Sequence, residues 1–225
     1  MFKTETHLHT SEGSACGKIG AAEMIRLYHE AGYKTVFVSD HLKGDYFERM
    51  GKDLSWEERC DIFYGAFEKA KEEGDKLGVN VIFSAELTLD TCPNHYLLYG
   101  IDKSFIVERP DIFSLSLSEF YEYATSKNVM IVQAHPYRDG RNYPTPEIVD
   151  AIEAYNSNPR HNDYEDKAFV LAEEHGKPTV AGSDAHRYED VAGAAVLTES
   201  EIKTAEDYIA LVKSRAVKIA KGREE

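Results

Sequence analysis

Six short apolar runs in this chain lead into, or carry, histidine or a carboxylate, and that recurrence constrains the fold more than any other feature. Thr4 to His9 closes on His7-Leu8-His9, and Thr35 to Ser39 runs into Asp40-His41. Val79 to Ser84 leads to Glu86, and a short run carries His95. Val129 to Ala134 leads to His135, and Thr179 to Gly182 leads to Asp184-Ala185-His186. Runs this short and this rich in β-branched residues read as buried strands. A further run, Ala151 to Tyr155, supplies no metal ligand and ends in a polar loop.

Between the strands lie helical patterns. Met24, Leu27, Tyr28 and Ala31 keep helical spacing, with Gly32 as the stop. Ser55-x-x-Glu58 and Ser116-x-x-Glu119 fit capping boxes, each opening a helix with an apolar stripe. Strands alternating with helices predict a largely parallel sheet, either an open doubly wound layer or a closed barrel. No linker rich in Pro, Gly or Ser divides residues 1–225, which predicts one domain, with a charged tail at Lys221 to Glu225.

In a parallel barrel the strand ends converge on one rim, where active sites are built from several strands. Period-2 geometry sends His7 and His9 to the same side, and does the same for Asp184 and His186. One HxH, or one Asp-His pair, is weak on its own, because strand-end hydrogen bonding or a helix cap explains it. Six of the nine histidines following this pattern, together with Glu86 and Asp184, need another account. An apolar core has no use for so many ionisable groups unless they are paired or coordinated. Imidazole and carboxylate suit Zn, Mn or Fe, and the number of donors suits two or three divalent ions.

Composition narrows the function. The 225 residues hold 26 Lys+Arg against 40 Asp+Glu, a formal charge of −14, which disfavours long nucleic acid as a partner. No apolar run approaches the roughly 18 residues of a membrane span. The N-terminal stretch carries no apolar signal region, and Cys16, Cys60 and Cys92 lack CxxC spacing, which together predict a cytoplasmic protein. The oligomeric state is not readable.

The ordered set His7-Leu8-His9-Thr10, Ser39-Asp40-His41, Glu86, His95 to Gly100, His135-Pro136 and Gly182-Ser183-Asp184-Ala185-His186 resembles the PHP (polymerase and histidinol phosphatase) family. The resemblance runs from residue 5 to about residue 190. It implies a distorted (β/α)7 TIM-like barrel with a metal site at the C-terminal ends of the strands. It implies a first metal on His7, His9, Glu86 and Asp184, a second on Glu86, His95 and His135, and a third on His41 and His186. The family usually completes the third site with Asp or His soon after the HxHT motif. Here Glu12 stands as the substitute, and Cys16 reads as a small buried residue.

The expected activity is metal-dependent hydrolysis of a small phosphomonoester by a metal-bridging hydroxide, resembling the histidinol-phosphatase branch. Arg138, Arg160 and Arg187 are the candidates for binding the phosphorylated substrate, since the guanidinium fork matches phosphate oxygens. His161, beside Arg160, is the candidate acid for the leaving alkoxide, and the two form the proposed catalytic pair. The alternatives are a PHP-type nuclease or phosphodiesterase on nucleotides or short oligonucleotides, an amidohydrolase-like deacylase, and a non-enzymatic metal-binding regulator.

Overall fold

Every strand-forming run of the sequence becomes a strand, but the order and direction of the strands depart from simple alternation. The structure is a computed structural model that describes residues 1–222, so Arg223, Glu224 and Glu225 of the charged tail lie outside it. The chain runs β1 (Phe2–Glu5), α1 (Ala21–Glu30), β2 (Thr35–Val38), β3 (His41–Lys43), α2 (Gly44–Arg49), α3 (Trp56–Leu77) and β4 (Asn80–Thr88). It continues with β5 (His95–Tyr99), α4 (Lys103–Val107), α5 (Leu117–Ser126), β6 (Met130–Ala134), β7 (Ala151–Asn156) and α6 (Glu165–Glu174). The last elements are β8 (Thr179–Gly182), β9 (Ala194–Thr198), α7 (Ala205–Lys213) and β10 (Lys218–Lys221).

The hydrogen-bonded order is β10-β9-β1-β2-β4-β5-β6-β7-β8, with β3 on β4. Just beyond the ends of β1 and β8 the chain pairs again, through a parallel bridge between Leu8 and Ala185. His9 N donates to Ala185 O at 2.9 Å and Asp184 N donates to His7 O at 2.7 Å. Those bonds join the two ends of the path β1-β2-β4-β5-β6-β7-β8 and give a nearly closed barrel of seven strands, with β9 and β10 extending from β1.

Two features correct the expectation of a largely parallel β/α succession. β5 is antiparallel to both β4 and β6, and β9 is antiparallel to β1 and β10. The link from β4 to β5 spans only residues 89–94, too short for a parallel crossover, which needs a dozen or more residues. His95 therefore starts its strand instead of following one. Reversal of β5 nonetheless leaves His95 on the rim that carries the C-terminal end of β4. β4 itself runs to Thr88, so Glu86 sits inside the strand, opposite His41 of the short parallel β3.

Both capping boxes form. Ser55 Oγ accepts from Glu58 N and Ser116 Oγ from Glu119 N, with each glutamate returning the bond to the serine N–H. α3 then ends on Gly78, whose φ of 70° is the left-handed value that a helix C-terminus favours glycine for. Packing follows strand alternation: Val36 and Val38 join the apolar layer between sheet and helices, while Phe37 joins a second cluster with Leu97, Tyr99, Val132, Val180 and Val196. Tyr208 and Val212 of α7 complete this inner cluster. Apolar filling of the interior leaves the polar chemistry to the rim. Among the described residues, no helix is long and apolar enough to cross a membrane.

Candidate metal centre

The rim gathers His7, His9, His41, Glu86, His95, His135, Asp184 and His186 into one basin. Possible ligand atoms lie within 4.8 Å of one another in four overlapping groups: His7, His9 and Glu86; His7, His135 and Asp184; His41, Glu86 and His95; and His9, His41 and His186. Glu86 is the hub, with Oε1 at 2.8 Å from His95 Nδ1 and 3.0 Å from His135 Nε2, and Oε2 at 2.6 Å from His41 Nδ1. His7, His9 and Glu86 belong to the first set that the resemblance implies, and Glu86, His95 and His135 make up the second. His9 also stacks on both His41 and His186, with ring centroids 4.2 Å apart in each case, and His41 joins Glu86 and His95.

Three observations fit divalent cations here. His7 Nε2 and His9 Nε2 face each other at 3.1 Å. Glu86 Oε2 and Asp184 Oδ1 belong to side chains only 1% exposed and have imidazole nitrogens as near polar neighbours, His41 Nδ1 at 2.6 Å and His9 Nε2 at 3.1 Å. Such oxygens are costly to bury unless a cation meets them. The donors are imidazole and carboxylate, which suit Zn, Mn or Fe.

Electrostatics sharpen the case. Burial disfavours charge on Glu86, but His95, His41 and His7 hold it well below the usual carboxylate range. Asp184 is likewise held low against burial by Arg138 and His7. Burial pushes His9 down, and His41 and His186 push it further, while His135 falls to about 3 through burial and Arg138. These two rings are neutral, the form that offers a lone pair to a metal. Opposing burial, Glu153, Asp184 and Glu86 lift His7 well above its ordinary value, and Glu86 lifts His41 to about 10. The carboxylates thus draw positive charge onto the rim.

Backbone geometry is part of the site. His135 (φ 28°) and Asp184 (φ 50°), which follow β6 and β8, are non-glycine residues in left-handed conformations. Each costs on the order of 1–3 kcal/mol and persists only where neighbours enforce it. Glu153 Oε2 accepts from His135 N at 3.1 Å, and His7 O accepts from Asp184 N.

Glu12 is not in the cluster. Its carboxylate accepts from Ala21 N at 2.9 Å, satisfying an N–H at the start of α1, and reaches Lys69 at 3.8 Å. An acid near a helix N-terminus is favoured by the helix dipole, which draws it away from the rim. Nor is Cys16 simply a buried filler. It is half-buried and lines the rim cavity together with His41 and His186. Burial would raise its thiol, but the His186 and His41 imidazoles bring it down to about 5.

The arginines are less free than their sequence positions imply. Arg138 Nη1 lies 2.6 Å from Asp184 Oδ2 and its Nε donates to Asp163 at 2.8 Å. Arg160 forms a two-bond pair with Asp190, with Nη2 at 2.8 Å from Oδ2. Arg187 is closer to solvent and lies 3.8 Å from Glu189. His161 Nδ1 is 2.8 Å from Asp139. All four line a cavity of about 480 Å³ at the mouth of the basin, joined there by Lys43 and Arg141, so the cavity is cationic in an acidic protein.

Four carboxylates of this region do not stand out in the sequence pattern: Glu5, Glu153, Asp163 and Asp190. Glu153 bonds His7 Nδ1 at 2.8 Å, and Glu5 Oε1 accepts from the N–H groups of Thr6, His7 and Ser183. A lone acid inside an otherwise apolar strand, as in Ala151-Ile152-Glu153-Ala154, is the signal that could have found the first.

Comparison with known proteins agrees with this geometry. Residues 162–217, which include Asp184 and His186, match the family model described as PHP-associated. A two-domain protein containing a predicted PHP-like metal-dependent phosphoesterase from Bacteroides vulgatus is 14% identical, with a TM-score of 0.70; the alignment covers 98% of this chain and 65% of that one. The chain has a PHP-like fold. PsfC from Pseudomonas syringae is 18% identical at a TM-score of 0.71, covering 98% and 91% of the two chains. The lesion-specific endonuclease PfuEndoQ from Pyrococcus furiosus is 15% identical at 0.64, covering 97% of this PHP-like chain and 57% of its own. No curated protein matches the sequence.

Proposed function

We propose that this chain is a metal-dependent hydrolase of small phosphomonoesters. The observation that carries the reading is the pair of buried carboxylates, Glu86 and Asp184, ringed by six imidazoles and opening onto a cationic cavity. His7, His9, Glu86, Asp184, His95, His135, His41 and His186 would hold two or three divalent ions. Such ions, when bound, polarise a phosphoryl oxygen and lower the pKa of a water.

The chain's own residues bind and orient the substrate. Arg187, Lys43 and Arg141 offer cationic groups to phosphate oxygens at the cavity mouth. Arg138 and Arg160, already paired with acids, add positive potential while fixing Asp184 and the His186 backbone. His161, held through Nδ1 by Asp139, keeps Nε2 to deliver a proton to the leaving alkoxide. A cavity of about 480 Å³ suits a metabolite-sized ligand. The likeness to an endonuclease favours a second reading, phosphodiester cleavage in a short strand.

The test is hydrolysis by protein loaded with Mn, Fe or Zn, on p-nitrophenyl phosphate, on a panel of phosphorylated metabolites including histidinol phosphate, and on a short single-stranded DNA. Turnover of a monoester that is lost in both His9→Ala and Asp184→Ala supports the proposal. Cleavage of DNA alone replaces it with the nuclease reading, and inactivity on every substrate overturns both.

A further inference from the structure

The loop that follows His9 folds back around the Asp40 carboxylate. Thr10 N donates to Oδ1 at 2.7 Å, Thr10 Oγ1 donates to Oδ2 at 2.7 Å, and Ser14 Oγ donates to Oδ1 at 2.6 Å. The Thr10 hydroxyl accepts in turn from Gly13 N at 3.1 Å, and Ser14 N closes the turn on Thr10 O at 3.0 Å. Gly13 lets the loop pass over the carboxylate, since a Cβ there would stand 2.2 Å from Asp40 Oδ2. Thr10, Ser14 and Asp40 are each no more than 2% exposed, so water does not compete for these bonds.

Ser14 Oγ has two further neighbours. A hydroxyl offers one hydrogen and two acceptor lone pairs, and a carboxylate only accepts, so the Ser14 hydrogen is committed to Asp40. One lone pair takes the His41 N–H at 2.9 Å. The other faces His9 Nδ1 at 3.2 Å, a bond that forms only when that nitrogen carries the hydrogen. In that tautomer His9 Nε2, which lies 3.1 Å from both His7 Nε2 and Asp184 Oδ1, turns a lone pair toward the basin. The opposite tautomer would aim an N–H at Asp184 and close the ligand position.

We propose that Ser14, backed by Asp40, is a positioning residue that holds His9 with its hydrogen on Nδ1 and keeps Nε2 open to the ion shared with His7, Glu86 and Asp184. The proposal rests on the metal-centre reading above, but the tautomer is a property of the chain alone. His7 receives such support from Glu153 directly, and His9 receives it from a carboxylate through a hydroxyl. Ser14→Ala also takes an acceptor from His41 N, so metal affinity by itself does not separate positioning from packing. The tautomer does.

Long-range proton–nitrogen correlation spectra of the metal-free full chain read it, with His9 assigned by the signals that vanish in His9→Gln. The wild type should show the hydrogen on Nδ1 and a bare Nε2. Ser14→Ala should move the hydrogen to Nε2, facing Asp184, and should lower zinc affinity about tenfold or more in equilibrium dialysis. Ser14→Thr, which keeps the hydroxyl, should return the wild-type pattern. A wild-type His9 with its hydrogen on Nε2, a result that needs no variant to fold, overturns the positioning role and leaves the metal centre standing. So does a Ser14→Ala chain whose His9 keeps the hydrogen on Nδ1. A wild-type chain that binds no zinc, manganese or iron overturns the metal centre and this role together.

Discussion

His7 Nδ1 and Glu153 Oε1 lie 2.8 Å apart with both side chains wholly out of solvent. The bond leaves Nε2 as the ring atom turned toward His9, Glu86 and Asp184. A ligating imidazole held by a carboxylate on its far nitrogen has its tautomer and orientation set in advance. Removing Glu153 should therefore weaken metal binding without removing a ligand. Glu153→Ala is expected to lose about 10- to 100-fold in zinc affinity, measured by equilibrium dialysis. Unchanged affinity would mean that His7 is oriented by packing alone.

Gly182 makes this arrangement sterically possible. A Cβ at that position would stand 2.4 Å from His7 Cβ and 2.7 Å from Glu153 Oε1. Gly182→Ala must displace one or both, at a cost of about 1–3 kcal/mol for overpacking. Urea unfolding should show a lowered midpoint, and zinc affinity should fall in the same variant. A midpoint and affinity equal to wild type would show that the strand ends can separate without penalty.

The arginines should divide into two kinds in kinetics. Asp190 Oδ2, paired with Arg160, also accepts from the N–H groups of His186 and Arg187 at 2.9 Å, so Arg160→Ala should disturb the His186 loop and lower kcat as well as raise KM. Arg187, more exposed, should act in binding. Arg187→Ala is expected to raise KM for a small phosphomonoester about tenfold with little change in kcat, equivalent to ~1.4 kcal/mol. The reverse division between the two variants would exchange their assigned roles.

Glu5 gives the fold a pH dependence of definite sign. Burial raises its carboxyl from 4.5 to about 7, against the lowering effect of bonds from His7 and Ser183. In the unfolded chain Glu5 ionises near 4.5, while the folded chain keeps the proton until about 7. The folded state thus binds more protons across that window, so its stability falls as pH rises from 4.5 to 7 and is level on either side, for this group. The full effect is on the order of 3 kcal/mol. Chemical denaturation of metal-free wild type and Glu5→Gln should converge at pH 4 and diverge by pH 8, with the variant gaining relative stability. Parallel curves across the range would contradict this.

Much of the chemistry follows from local sequence. His7 and His9 share a side because strand residues alternate, and the serines at 55 and 116 open helices because each has a glutamate three residues on to complete the box. Periodicity also places Phe37 and Val36 on opposite faces of β2. These are properties of a few consecutive residues. That six imidazoles and two acids meet in one basin required only that the strand ends share a rim.

Tertiary structure decided what depends on residues far apart in the chain. The reversal of β5 brings His95 to the rim from the opposite chain direction. Glu153 lies 146 positions from His7, and no local pattern marks it as that ring's partner. Glu12 reads from the sequence as the donor that completes the third site and Cys16 as a small buried residue, yet the start of α1 takes the acid while Cys16 lines the rim cavity. Backbone alternation and capping are short-range and are fixed by neighbouring residue types, whereas which donor reaches a shared ion depends on where the whole barrel places its loops.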